Sequence, residues 1–426
     1  MAVWLAVVSS GLAMAGVLVA AGMNLGTSAA PFAGHYRLRV GPASLLAPAV
    51  AIGVLAATRS DRLARMRWTA LLAASYVAAL AWALALALVD GRPGLSRPLT
   101  APGGSLGDVA AVGGDPLGFI RTFTDRAADY SPATRAHPPG QVLALWSLER
   151  LGLHSGTALG LTLTAIGCLT VPLVVIAVRS LCHEPAARRF APVLVLAPWA
   201  VWMAVAPDGL TATLAAAGVA IGVVGSEPGR RPWWAAFSGL ALGAAALCGY
   251  GVAWVGIAVI AANFVRRRPL LNLVAGAAGL LPLWLFFAWG FSWPDGLAAA
   301  GADVSGRGGG SRAWLGWAPL DVAVLAVACG PVLVRAARRW RMTPGWPFLA
   351  GAVPAVALGI LTGLSRGEVE RSWLPFFPWL LVAALAPCPR PARPGDRTTA
   401  GELPTGLVAV GAAVAVIVEA VVASPW

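Results

Sequence analysis

Apolar residues in this chain fall in runs that are too long for the core of a small soluble domain. They are also too evenly apolar for one face of an amphipathic helix. The runs lie near residues 2–22, 41–57, 68–89, 156–178, 190–206, 209–225, 233–248, 251–265, 270–290, 317–334, 345–364, 372–388 and 404–423. A helix of about 20 apolar residues crosses a hydrocarbon core of about 30 Å. The pattern therefore predicts an all-α polytopic membrane protein of about 13 transmembrane helices, forming one transmembrane domain over residues 1–426. The first run, "MAVWLAVVSSGLAMAGVLVAAG", has no basic residues before it and reads as a retained span rather than a cleaved signal.

Two polar interruptions stand out, residues 90–155 and residues 291–316. Within the first, Leu117, Ile120 and Phe123 recur at helical spacing between charges, as in a short amphipathic helix lying on the membrane surface. "GQVLALWSLERLGL" is a second such helix, too short to span. The second interruption contains a glycine run that predicts a mobile segment.

Composition agrees with the pattern. Hydrophobic residues make up 58% and charged residues 12%, against about 25% charged in a soluble domain. The net charge of +13 would suggest nucleic acid in a soluble protein. Here every positive charge is an arginine, and the arginines cluster in short connections between runs, which is how membrane orientation is written. The partner implied is the lipid bilayer, with no nucleic acid. With the N-terminus in the cytoplasm, the six inward connections hold 19 of the 31 arginines, while 11 of the 18 acids face outward. "HYRLR", with Arg37 and Arg39 outside, is the one local violation. Five scattered cysteines form no CxxC pair and read as small buried hydrophobes. The expected location is the plasma membrane, multi-pass, with any site on the extracytoplasmic side.

Candidate chemistry gathers on that outer side. Asp90 ends an apolar helix with a carboxylate before a glycine turn, a rigid mount for a base, although it also reads as a solvated helix end. "DYSPATRAHPPGQ" offers Asp129, Tyr130, Arg135 and His137 just after Asp125, with Pro138 and Pro139 stiffening the chain and Gly140 permitting a turn. A histidine held this way suits a phosphate or a sugar hydroxyl; the plain alternative is a surface histidine beside a turn. "SRGEVERSWLPFFPWLL" packs Arg366, Glu368, Glu370 and Arg371 into six residues, and the arginine fork suits a phosphate. Trp373, Phe376, Phe377 and Trp379 read as an aromatic belt at the lipid headgroups. Asp208, in the turn Pro207-Asp208-Gly209, reads as a helix cap. The chain contains no Walker motif or HExxH, which removes support for nucleotide-driven transport and zinc proteolysis.

These features together resemble the GT-C glycosyltransferases: many spans, a large outer loop opening with Asp, surface helices in that loop, and spans that turn at Pro-Asp. The segments "YSPATRAHPPGQ" and "SRGEVERSWLPFFPWLL" are similar to those of actinobacterial members, above all the methylthioxylose transferase type acting on envelope lipoglycan. The resemblance implies an inverting transfer from a polyprenyl-phosphate sugar donor to an envelope polysaccharide or lipoglycan acceptor. Asp90 would be the base; His137, Arg366 and Arg371 would hold phosphate or donor sugar, with Glu368 and Glu370 orienting them and Tyr130 and Arg135 in the same wall. In the family the catalytic loop usually follows the first span, whereas here it follows the third. That leaves Asp108, Asp125 and Asp129 as alternative bases. Some relatives carry a divalent cation beside their acids; the sequence neither requires nor excludes one. The rival reading is a transporter or flippase for a lipid-linked sugar, with Asp321 and Glu419 as its intramembrane charges.

Overall fold

The computed structural model describes residues 1–23, 25–59, 62–101, 103–306, 314–363, 365–385 and 403–424. Cys388, the acids Asp61, Asp396 and Glu402, the connection 389–397 and the glycine run at 308–310 lie outside the described residues. The chain is almost wholly helical. One two-residue antiparallel ladder pairs His35 with Ala423 and Tyr36 with Val422.

Among the described residues, six helices are long and apolar enough to cross a membrane: Ala2–Ala20, Pro42–Arg59, Trp68–Asp90, Gly156–Cys182, Asp208–Gly225 and Leu271–Ala288. Each coincides with an apolar run. Four more runs form shorter apolar helices, Trp233–Ala246, Tyr250–Val265, Trp346–Thr362 and Thr405–Val421. The remaining three do not form straight spans, and each departs for a local reason.

In the 190–206 run the helix Glu184–Val195 carries Pro192 and stops before Pro198. The chain resumes as a single turn, Ala200–Met203, and Val205 adopts a positive φ of 63°. Broken backbone is tolerated at membrane depth only inside protein, and nearly every residue here is buried. The Trp199 N–H finds Ala328 O at 3.1 Å, and the Val205 N–H finds Thr164 Oγ1 at 2.9 Å. The 317–334 run bends by 102° between Gly316–Cys329 and Val332–Met342, at Gly330 (φ 66°) and Pro331. The 372–388 run is cut by Pro375 and Pro378 into short turns, all buried as far as Leu385.

That last run corrects the aromatic-belt expectation. Trp373, Phe376, Phe377 and Trp379 are all at most 2% exposed. Phe377 stacks on Trp199 and Trp379 on Phe348, so these rings are core and do not meet headgroups. The lipid-facing role falls to helices such as Leu271–Ala288, whose Leu273, Leu280, Trp284 and Phe287 are exposed.

The loop over residues 90–155 is a folded layer. Its helix Pro116–Thr122 buries Phe119 and Ile120, with Phe123 just beyond, while Leu117 stays exposed. Phe119, Phe123, Tyr130 and Phe291 pack as one aromatic cluster. The apolar stripe therefore docks largely on protein. The second loop forms the helix Trp293–Gly306.

Candidate functional site

The site begins with how the loop holds His137. Asp108 accepts hydrogen bonds from the Ser131 N–H at 3.1 Å and the Ser131 hydroxyl at 2.6 Å. Ser131 in turn caps the short helix Pro132–Arg135 by accepting from the Thr134 N–H. That turn presents His137, whose Nδ1 lies 2.8 Å from the Ala133 carbonyl oxygen. Gly140 follows, and its N–H donates to Leu247 O at 2.9 Å. A Cβ at Gly140 would sit 2.3 Å from that oxygen, so the glycine serves close approach of two backbones, where the sequence suggested only a turn.

The partner of His137 is Asp208. Nε2 lies 3.2 Å from Asp208 Oδ1. Arg371 grips the other oxygen, with Nε at 2.8 Å and Nη2 at 2.5 Å from Oδ2. Gln141 completes the group, reaching Asp208 Oδ1 at 3.4 Å and Thr211 Oγ1 at 3.1 Å. Asp208 makes no capping bond to its own helix, which corrects the reading of it as a cap. An aspartate 3% exposed needs compensation for lost hydration, and Arg371 and His137 provide it.

This setting favours the cationic form of His137, because a carbonyl oxygen and an ionised carboxylate, one beside each ring nitrogen, can only accept hydrogen bonds. Burial works against the imidazolium, but the hydrogen bond and charge of Asp208 outweigh it and raise the pKa above the ordinary value.

His137, Asp208, Thr211 and Arg371 line a cavity of about 410 Å³, within the range of small-ligand sites. Arg366 and Glu368 also line it; Arg366 Nε donates to Gly363 O at 2.7 Å. Its other walls are apolar and aromatic, among them Val252, Trp254, Trp293, Leu358 and Trp373. The chain matches no family model, no curated protein and no solved structure.

Of the residues singled out from sequence, the fold brings His137, Arg366, Glu368 and Arg371 to one cavity. Glu370 adjoins it but turns away, with Oε1 accepting from the Ala33 N–H at 3.0 Å. Tyr130 is buried in the aromatic cluster, and Arg135 pairs with Asp303 at 3.3 Å. Asp108 acts at one remove, through Ser131. Asp125 and Asp129 are exposed, and Asp129 pairs with Arg126.

Asp90 lies elsewhere. Its Oδ2 is held by Arg39 at 2.7 Å and Arg97 at 2.6 Å, beside a cavity of only about 40 Å³. Arg39 also meets Glu419 at 3.4 Å. This pairing neutralises Arg39, one of the two arginines of "HYRLR", within the fold. Asp208 and Gln141 are the site residues that sequence reasoning missed. An acid opening a buried apolar helix was the available signal for Asp208; nothing distinguished Gln141. Among the described residues no three His, Cys, Asp or Glu side chains converge as metal ligands.

Proposed function

We propose that the chain is an inverting glycosyltransferase of the GT-C type, moving a sugar from a polyprenyl-phosphate donor to a cell-envelope glycan or lipoglycan. The thirteen apolar runs would be its crossings, and the cavity would open toward the extracytoplasmic face of the plasma membrane. The observation that carries the reading is a cavity with two chemistries: Arg366, Arg371 and His137 among its lining, with aromatic and aliphatic side chains making up most of its walls.

A polyprenyl-phosphate sugar has the complementary parts. The phosphate suits the cations, which would also hold the charge that develops on it as it leaves. The sugar suits the tryptophan faces, and the first prenyl units suit Val252 and Leu358. Asp208 is the counter-charge that keeps Arg371 and His137 extended and fixed. The likeness of two short loop segments to actinobacterial members supports the same class of reaction.

The test is transfer of a radiolabelled sugar from polyprenyl phosphate to envelope glycan, in membranes bearing the wild type or Arg366→Gln. Losing a charge-assisted hydrogen bond of about 1.5–3 kcal/mol should weaken apparent donor affinity at least about tenfold. Absence of transfer by the wild type, with each of several polyprenyl-phosphate sugars, would overturn the enzyme and leave a transporter of the same lipid-linked sugars, which needs the same recognition chemistry but no base.

A further inference from the structure

Among the described residues, six ionisable side chains line the large cavity: His137, Asp208, Tyr250, Arg366, Glu368 and Arg371. A sugar transfer to a hydroxyl needs one group to take the proton of that hydroxyl. Elimination leaves one. His137 has each ring nitrogen occupied within the fold, Nδ1 by Ala133 O and Nε2 by Asp208. Asp208 has one oxygen against His137 and the other against Arg371. Arginine keeps its protons, and a phenol is protonated at neutral pH. Asp90 does not line this cavity, and two arginines hold it.

From these positions we infer that Glu368 is the general base, an inference that rests on the glycosyltransferase reading. Its side chain is half-buried at the cavity wall, and its backbone is fixed on both sides. Gly367, at φ 72°, lets the chain pass close to Trp317, where a Cβ would come within 2.8 Å of the indole ring. The Glu368 carbonyl accepts from the N–H groups of Arg371 at 3.2 Å and Ser372 at 3.1 Å, and from the Ser372 hydroxyl at 2.9 Å. The carboxylate is thus carried on a pinned turn, three residues from Arg371, in the same cavity as the cations assigned to phosphate.

The step balances as follows. A Glu368 oxygen takes the proton of the acceptor hydroxyl as that oxygen bonds to the anomeric carbon. The bond from that carbon to the phosphate oxygen breaks, its electron pair stays with the phosphate, and polyprenyl phosphate leaves with one more negative charge beside Arg366, Arg371 and His137. Attack opposite the leaving group inverts the anomeric centre. The proton on Glu368 passes to water.

The experiment uses the full chain in membranes and purified in detergent, as wild type, Glu368→Gln, Glu368→Asp, Asp90→Asn and a control carboxylate variant, Glu149→Gln. Transfer rate is followed against pH, binding of polyprenyl phosphate is measured directly, and thermal midpoints are compared. Expected for Glu368→Gln is a fall in transfer of about 10²–10⁴-fold, with polyprenyl-phosphate binding and midpoint kept and the acidic limb of the pH profile gone. Glu368→Asp should keep a reduced rate with that limb displaced, which a merely structural role would not produce. Retained transfer in Glu368→Gln overturns the assignment, and loss in Asp90→Asn beside it would return the base to Asp90. Lost binding in proportion to lost transfer also overturns it. No transfer by the wild type from any donor overturns the functional reading itself, and this inference with it.

Discussion

Glu370 shows how one residue can set a pH dependence. Its carboxyl is wholly buried, Oε1 accepts from Ala33, and Oε2 has no hydrogen-bond partner among the described residues. Burial pushes its pKa up from an ordinary 4.5 to about 7. A carboxyl whose pKa is raised on folding prefers its proton in the folded state. Its contribution to stability is complete below the unfolded pKa and is lost as pH rises through the folded one. His137 is also raised, so its contribution disappears in the same direction. The thermal midpoint in detergent should therefore fall between about pH 5 and about pH 8, and Glu370→Gln should flatten part of that fall. An unchanged slope in Glu370→Gln would place the titration elsewhere. His137, Arg366, Glu368 and Arg371 were legible in sequence because charge is scarce in so apolar a chain. Asp208 was not, since Pro-Asp-Gly is also how an ordinary helix begins and its arginine lies 163 positions away. The pairing of Asp90 was hidden for the same reason, as Arg39, which also meets Glu419, reaches it only through the fold.

Between elements, the helices Trp233–Ala246 and Leu271–Ala288 pack backbone against backbone. Gly239 and Gly243 are one turn apart and face the second helix. A Cβ on Gly239 would lie 2.1 Å from Ala275 O, and one on Gly243 would lie 2.3 Å from Gly279 O. Apolar side chains gain little by leaving lipid for each other, so helices in membranes associate where small residues let backbones touch. Gly243→Val should lower the thermal midpoint by several degrees and reduce yield. Gly276→Val should do neither, because a Cβ there meets nothing within 4 Å. Equal midpoints for the two variants would discount the contact. Hydropathy located ten of the thirteen apolar runs as helices because length and composition suffice for that. It did not show that 190–206 and 372–385 are broken and enclosed. Their prolines were visible, but the neighbours that accept the freed backbone groups, such as Thr164 and Ala328, come from distant helices.

Across the whole molecule, the arginine distribution predicts an orientation that labelling can check. In a background with all five cysteines replaced, Ser147→Cys on the exposed side of the Gly140–Arg150 helix should react with an impermeant maleimide on intact cells. Arg231→Cys, exposed in the connection "SEPGRRP", should react only after permeabilisation. The reverse pattern would turn the protein over and put the large cavity on the cytoplasmic side. The ladder joining His35–Tyr36 to Val422–Ala423 adds a matter of timing. Beside it, the Arg37 N–H donates to Val421 O at 2.8 Å, and the Arg39 guanidinium donates to Val422 O at 2.5 Å. A ribosome adding about 5–20 residues per second takes on the order of tens of seconds to pass from one strand to the other. Throughout that interval Arg39 lacks the Glu419 carboxylate and its backbone acceptors at Glu419, Ala420 and Val422. The segment around Arg39 must therefore wait, unsealed, until residues 419–423 have been made.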